Sequence, residues 1–406
     1  MTETNPLIWN PFRKGYLENP YEQLRLLREQ NPVHKGINGC WMFFKYDDVK
    51  NFLTNPVFQT VKFSEVIAAK SLLLDEPDNF NNLAKGTSKF LFTLDPPDNT
   101  QIRMLIAKVW NINNLTGFIQ ETTEESIERL LKKKEPDILE DFAVFIPCRI
   151  ISKIIGLKFE DYRKLKDLSY HTIRLFEFFE SLHAFQLYNR KMKEFYEYLD
   201  TVIQTKKQNP DDTLISRLLE VNQTFAQPFT QWEIVSIIIL LIFTGIETSI
   251  SLFGQSVFYL IQNKEQAGLL QNHKLNMTNA VEELIRYITP NQYIRRVASA
   301  DVEINGVKIK AGEHVIGVVA SANRDADMFE EPETLNLTRE TNPHLSFGYG
   351  LHYCFGAKLA REELKVSIPA LFRRFPHLGL HPQAVHKWDN MIFNRMLKSL
   401  PVVLNQ

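Results

Sequence analysis

One long stretch of helical character constrains this chain more than any other feature. Thr230-Gln231-Trp232-Glu233 has the form of a capping box, in which a threonine and the glutamate three residues on satisfy each other's backbone donors at a helix start. Helical character persists from there to about Gln262, through the apolar run Ile234 to Phe243. At 1.5 Å per residue such a helix is roughly 50 Å long, more than most globular domains require, so it must organise the whole fold. The apolar run is interrupted by Ser236 and ends at Thr244-Gly245-Ile246-Glu247, short of the roughly 20 apolar residues that cross a bilayer. A helix buried in protein is expected, with no membrane association.

Around that helix the pattern is largely α. Tyr21–Glu29, Tyr46–Leu53, Gln101–Trp110, most of Leu115–Thr205, Asn279–Tyr287 and Gly356–Phe375 have helical spacing. Trp41–Phe44, Val302–Ile309, Glu313–Val319 and Pro401–Leu404 read as short strands, with an Asn305-Gly306 turn. Gln59–Leu94 has weak periodicity and reads as a mobile loop over a site. Between Ala320 and Ser346 little regular pattern is present. No repeat or linker divides the 406 residues, so a single, mainly α domain with a small β component is expected over 1–406.

Charge and cysteine content exclude several functions. With 47 Lys and Arg against 48 Asp and Glu, the chain lacks the long-range field of a non-specific nucleic-acid binder. Cys40, Cys148 and Cys354 form no C-x-x-C pair, which argues against a zinc site or a disulfide scaffold and for a reduced, cytoplasmic setting. Met1–Arg13 has neither the basic start nor the apolar run of a signal peptide.

The sharpest local signal is Phe347-Gly348-Tyr349-Gly350-Leu351-His352-Tyr353-Cys354-Phe355-Gly356. Two glycines before the cysteine allow a tight loop, and a third allows a close approach as a helix begins. At a helix N-terminus, amide donors and the helix dipole favour the thiolate. The residues by themselves leave three readings open: an inert thiol, a nucleophile with His352 as its base, or an axial metal ligand. A phosphate loop is disfavoured, because no convincing strand precedes the glycines and no Lys-Ser/Thr pair follows them.

The segment resembles the haem-binding signature of the cytochrome P-450 family, F-G-x-G-x-H-x-C-x-G, at every specified position. The resemblance extends over roughly Asn19 to Leu404. It implies the cytochrome P-450 fold, with a long central helix beside haem b and Cys354 as the thiolate ligand of the iron. Phe347 and His352 would pack or bond near the haem and its cysteine, Gly348 and Gly350 would let the chain pass beneath the ring, and Gly356 would allow a close approach as the helix begins. Glu283-Leu284-Ile285-Arg286 matches the family's E-x-x-R, whose partner in the irregular segment before the cysteine is matched by Arg339. Thr244-Gly245-Ile246-Glu247-Thr248 resembles A-G-x-D/E-T, with Thr244 in place of the usual alanine. Gly245 would leave a groove for dioxygen, Glu247 would carry protons inward, and Thr248 would bond a helix carbonyl or an iron-bound oxygen. For the haem propionates the matching groups are Arg103, Arg296 and His344, with Asn99 standing where most soluble bacterial relatives have histidine.

By this resemblance the chain is a monooxygenase, a hydroxylase or epoxidase of a medium-sized, mainly apolar molecule in bacterial secondary metabolism. A separate ferredoxin or flavodoxin, with its NAD(P)H-dependent reductase, would supply electrons. Lys358, Arg361, Lys365, Arg373 and Arg374 would form the docking patch. Peroxygenase, isomerase and coupling enzymes share the fold and are the alternative; Glu247 and Thr248 argue against them. The pocket walls are expected in Lys62–Phe92, Phe176–Tyr198, Leu240–Thr244, Asn291–Ile294 and Met391–Leu397.

Overall fold

The computed structural model of the chain describes residues 7–74, 80–271 and 275–404. It is mainly helical with a small β component, as expected. The chain groups into two compact units, Met1–Gln59 with Thr123–Ala143 and Ile250–Gln406, and Thr60–Thr122 with Val144–Ser249. Each unit is assembled from separated stretches, which is why the sequence, read as a single domain, shows no linker between them.

In the first unit the strands Val33–Lys35, Trp41–Phe43, His314–Gly317 and Ile294–Ala298 pair in that order. Trp41–Phe43 runs parallel to His314–Gly317, and the other two pairings are antiparallel. Phe43, Phe52, Val315, Val319 and Phe329 belong to the fully buried core on this sheet. Val302–Ile304 and Val307–Ile309 form a hairpin whose two turn residues, Asn305 and Gly306, have φ of 50° and 76°. Positive φ at both positions suits the twist of a two-residue hairpin, and Asn-Gly adopts it at low cost. Glu313–Val319, read together with this hairpin from sequence, instead supplies the inner strand His314–Gly317 of the larger sheet.

The long helix spans Gln231–Gln262. Its start is the expected capping box: Thr230 N–H donates to Glu233 Oε2 at 2.8 Å, and Glu233 N–H returns to Thr230 Oγ1 at 3.4 Å. Every residue from Ile234 to Phe243 is buried, and 83% of the helix's most apolar window lies inside the protein. Each of these large apolar side chains contributes roughly 1.5–3 kcal/mol of gross burial energy. The helix is long and apolar enough to cross a membrane, and protein covers it instead.

Gln59–Leu94 is not the irregular loop that its sequence suggests. It contains helices Phe63–Ser71 and Asn81–Gly86 and a 3-10 turn at Leu91–Thr93, while its residues 75–79 lie outside the described residues. The cause is tertiary. Leu83 N–H bonds to Asn189 Oδ1 at 3.0 Å, and a Cβ on Gly86 would run into Met192. Both partners sit on the helix Leu182–Gln208, so packing supplies the stability that weak periodicity does not reveal.

Candidate active site

The helix Ala357–Arg374 of the first unit begins after Gly356, and the cysteine loop precedes it. Gly348 and Gly350 have φ of 72° and 70°, a left-handed backbone that strains most residues carrying a Cβ. Cys354 N–H donates to the Phe347 carbonyl at 2.8 Å, and Tyr353 N–H donates to Gly350 at 3.1 Å across the 3-10 turn Gly350–His352. The loop thereby folds back on itself and leaves Cys354 exposed and outside any disulfide. Phe347, Gly348, His352 and Gly356 are half-buried around it. The cysteine stands just before the helix rather than within its first turn.

Behind the loop, Glu283 and Arg286 share one face of the helix Met277–Ile288 and are both fully buried. Arg286 grips Glu283 through two nitrogens, each at 2.8 Å, and donates to the carbonyls of Asn323, Pro332 and Thr334. Glu283 also accepts from Asn336 N at 2.9 Å, Asn342 Nδ2 at 2.9 Å and Arg339 Nε at 3.0 Å. Burial would raise the Glu283 carboxyl, but the hydrogen bonds and charge of Arg286, with those of Asn336 and Asn342, hold it below the usual carboxylate range. The patternless segment before the cysteine loop is thus tied to one buried ion pair. That explains how it keeps a fixed course without regular hydrogen-bond ladders.

Two residues singled out in the sequence meet on one carboxylate. His344, matched to a propionate contact, has Nε2 at 3.0 Å from Glu282 Oε2, and its Nδ1 accepts from Ser346 N–H at 3.3 Å. Arg361, expected in an outward docking patch, grips the same carboxylate at 2.6 and 3.0 Å. Glu282 attracts both because it precedes Glu283 and so points about 100° away around the helix. It escaped the sequence reading because no motif includes it; its only signal was a second acid on a helix with a buried face. Lys358, Lys365, Arg373 and Arg374 are exposed. Arg296 is buried in the strand Ile294–Ala298, with Nη1 donating to the Arg295 carbonyl at 3.0 Å.

In the second unit, Asn99 lies in the first turn of the helix Asp98–Val109 and is fully enclosed, with Nδ2 donating to the Leu91 carbonyl at 2.6 Å. That bond engages one side of the amide with the turn before its helix. Arg103, one turn further on, is half-buried. Glu247 is also fully buried, and Lys166 of the helix Tyr162–Ile173 meets it at 2.9 and 3.2 Å. The sequence reading missed Lys166, although a carboxylate set among apolar residues demands a cation. Thr248 Oγ1 donates to the Thr244 carbonyl, and Thr244 Oγ1 to the Leu240 carbonyl, both at 2.6 Å. A Cβ on Gly245 would run into Ile151, so the expected groove is in part a seat for that side chain. Phe63, Phe90, Phe92, Phe176 and Phe243 pack ring on ring in the same unit.

Among the described residues, no three His, Cys, Asp or Glu side chains gather to hold a metal. One exposed sulfur on a rigid turn suffices only for a metal that brings its other ligands, as porphyrin iron does. This donor set, on a mainly helical fold, fits the haem-thiolate class of proteins. The model of the family "Cytochrome P450" matches residues 63–402, and the chain belongs to that family. It is 32% identical to the polyketide biosynthesis cytochrome P450 PksS of Bacillus subtilis (strain 168), over 98% of this chain and 99% of that one. To the vitamin D(3) 25-hydroxylase of Pseudonocardia autotrophica it is 30% identical, over 100% and 98%. The crystal structure of P450BioI in complex with hexadec-9Z-enoic acid ligated acyl carrier protein superposes with a TM-score of 0.86 at 31% identity, covering 96% and 99%. The fold is therefore the cytochrome P450 fold and the chain is an oxidoreductase of the monooxygenase type. Membership implies haem with cysteine-thiolate ligation and a need for redox partners.

Proposed function

We propose that this chain inserts one atom of dioxygen into a medium-sized, mainly apolar organic molecule, by hydroxylation or epoxidation, in bacterial secondary metabolism. The observation that carries the reading is the exposed Cys354 on its self-bonded glycine loop. Cys354 would hold the iron, and Arg103 and Arg296 would offer charge to the propionates. Haem with a thiolate ligand supplies reductive activation of dioxygen, in which substrate, dioxygen, two electrons and two protons give oxidised product and water.

The chain's own residues manage protons and water. Glu247 is a buried carboxylate whose partner Lys166 keeps 23% of its side chain exposed, so the pair connects an enclosed acid to solvent. Thr248 spends its own proton on the Thr244 carbonyl and so presents a hydroxyl oxygen that accepts a hydrogen bond. The five-phenylalanine cluster gives the second unit an apolar lining that excludes water. An apolar substrate suits such rings, and the names of the relatives above, polyketide, vitamin D(3) and hexadecenoic acid, point the same way. Electrons would come from a ferredoxin or flavodoxin with its NAD(P)H-dependent reductase in the cytoplasm.

The test is spectroscopic. Reduced protein under carbon monoxide should show the red-shifted Soret band of thiolate-ligated haem, and Cys354→Ala should lose it. An unchanged band in that variant would refute Cys354 as the ligand. Turnover with added peroxide but none with reductase and dioxygen would favour the peroxygenase alternative.

A further inference from the structure

The carboxylate of Glu282 gathers partners to which the reading above assigns no task. Arg361 places Nε 2.6 Å from Oε1 and Nη2 3.0 Å from Oε2, and His344 places Nε2 3.0 Å from Oε2. The same guanidinium lies over the Phe347 ring, 4.6 Å from its centroid, and its Nη1 donates to the Tyr353 hydroxyl at 3.2 Å. Phe347 and Tyr353 flank the cysteine. Phe347 accepts the Cys354 amide at 2.8 Å, Tyr353 is the preceding residue, and their rings lie 6.3 Å apart at 62°. His344 adds its own ring 5.7 Å from Phe347. Thus two side chains anchored on one carboxylate, Arg361 and His344, close around both ends of the loop.

The chemistry of the contacts suits positioning. A guanidinium held by both carboxylate oxygens has a fixed plane, and a fixed plane can stack on a ring and aim a remaining N–H at a hydroxyl. The Glu283 cluster ties down the segment before the loop, from Asn323 to Asn342, whereas the Glu282 cluster reaches the loop itself.

We propose that Glu282 is a positioning residue for the cysteine loop: by orienting Arg361, and through it Phe347 and Tyr353, it holds Cys354 in the geometry of a thiolate donor to the haem iron. The inference rests on the haem-thiolate reading of Cys354. Burial would raise the Glu282 carboxyl, but the hydrogen bonds from His344 and Arg361, with the guanidinium's charge, bring it down to about 2, so the anchor stays anionic at any working pH.

Two variants of the holoenzyme test it. Glu282→Gln keeps the shape and removes the charge that orients the guanidinium; Arg361→Lys keeps the charge and removes the planar fork. The reduced carbon monoxide complex is followed as its thiolate-type band decays to the band of protonated or displaced cysteine, and the thermal unfolding midpoint is measured by far-UV circular dichroism. Both variants should decay on the order of tenfold faster than wild type, the loss of about one charge-assisted hydrogen bond. At a temperature well below each variant's own unfolding midpoint the far-UV signal should stay unchanged while the band decays, and the double variant should decay no faster than the singles, because the two residues act as one unit. Wild-type decay in both variants overturns the positioning role while leaving the haem-thiolate reading intact. A wild-type protein with no thiolate band overturns that reading and the positioning role with it. Loss of the far-UV signal at the same rate as the band, or failure of both variants to fold, overturns the proposal by making the cluster an element of global stability.

Discussion

Thr248 shows how one hydroxyl can matter without altering the fold. Its proton goes to the Thr244 carbonyl at 2.6 Å, so Thr248→Ala removes a local bond that a helix tolerates losing. Under the proposed function, haem should remain bound with its thiolate spectrum, product formed per reductant consumed should fall roughly tenfold as proton delivery fails, and hydrogen peroxide should rise. A stoichiometric balance of reductant, oxygen, peroxide and product measures this partition; full coupling in the variant would remove Thr248 from the mechanism. Glu282 gives a second prediction at the same scale. Its folded-state carboxyl is depressed, so its stabilisation is complete above the usual carboxylate range and is lost as pH falls from about 4.5 through about 2. Denaturant unfolding across that window should show a steeper acid loss in wild type than in Glu282→Gln, which takes up no proton at that position.

The elements of this protein differ in what holds them. The long helix is secured by its own sequence, through the capping box at Thr230 and an apolar run that any core would accept. The segment from Asn323 to Asn342 has no such local support and depends on the buried Glu283–Arg286 pair. Glu283→Gln leaves Arg286 and Arg339 without their counter-charge, at a cost of about 3–5 kcal/mol if the site stays closed. The expected outcome is low haem incorporation together with a lowered unfolding midpoint, read by the ratio of haem to protein absorbance and by calorimetry. Stable holoprotein with a normal haem content would show that other contacts carry the segment. The helices within Gln59–Leu94 belong to the same kind, since packing on Leu182–Gln208 rather than periodicity decides them.

For the whole molecule, membership of the cytochrome P450 family implies a need for redox partners, and under the proposed function an acidic carrier would be steered to the exposed cations of the helix that follows the cysteine loop. With Arg361 occupied by Glu282, the outward charges are Lys358, Lys365, Arg373 and Arg374. Charge reversal at Lys365 and Arg373 together should slow reduction by an acidic ferredoxin and weaken its salt dependence, followed by stopped-flow absorbance; unaltered kinetics would move the docking face elsewhere. Legible in the residues alone are the helical class, the capping box, the Asn305-Gly306 turn, the glycine-bounded cysteine loop and the spacing of Glu283 and Arg286. Each depends on backbone chemistry within a few residues, which a linear pattern records. Tertiary packing brings His344 and Arg361 together on Glu282, sets Lys166 against Glu247 and turns Asn99 inward to Leu91. A buried charge or amide takes whatever partner the fold brings within about 3 Å, and Lys166 and Glu247 are 81 residues apart in the chain.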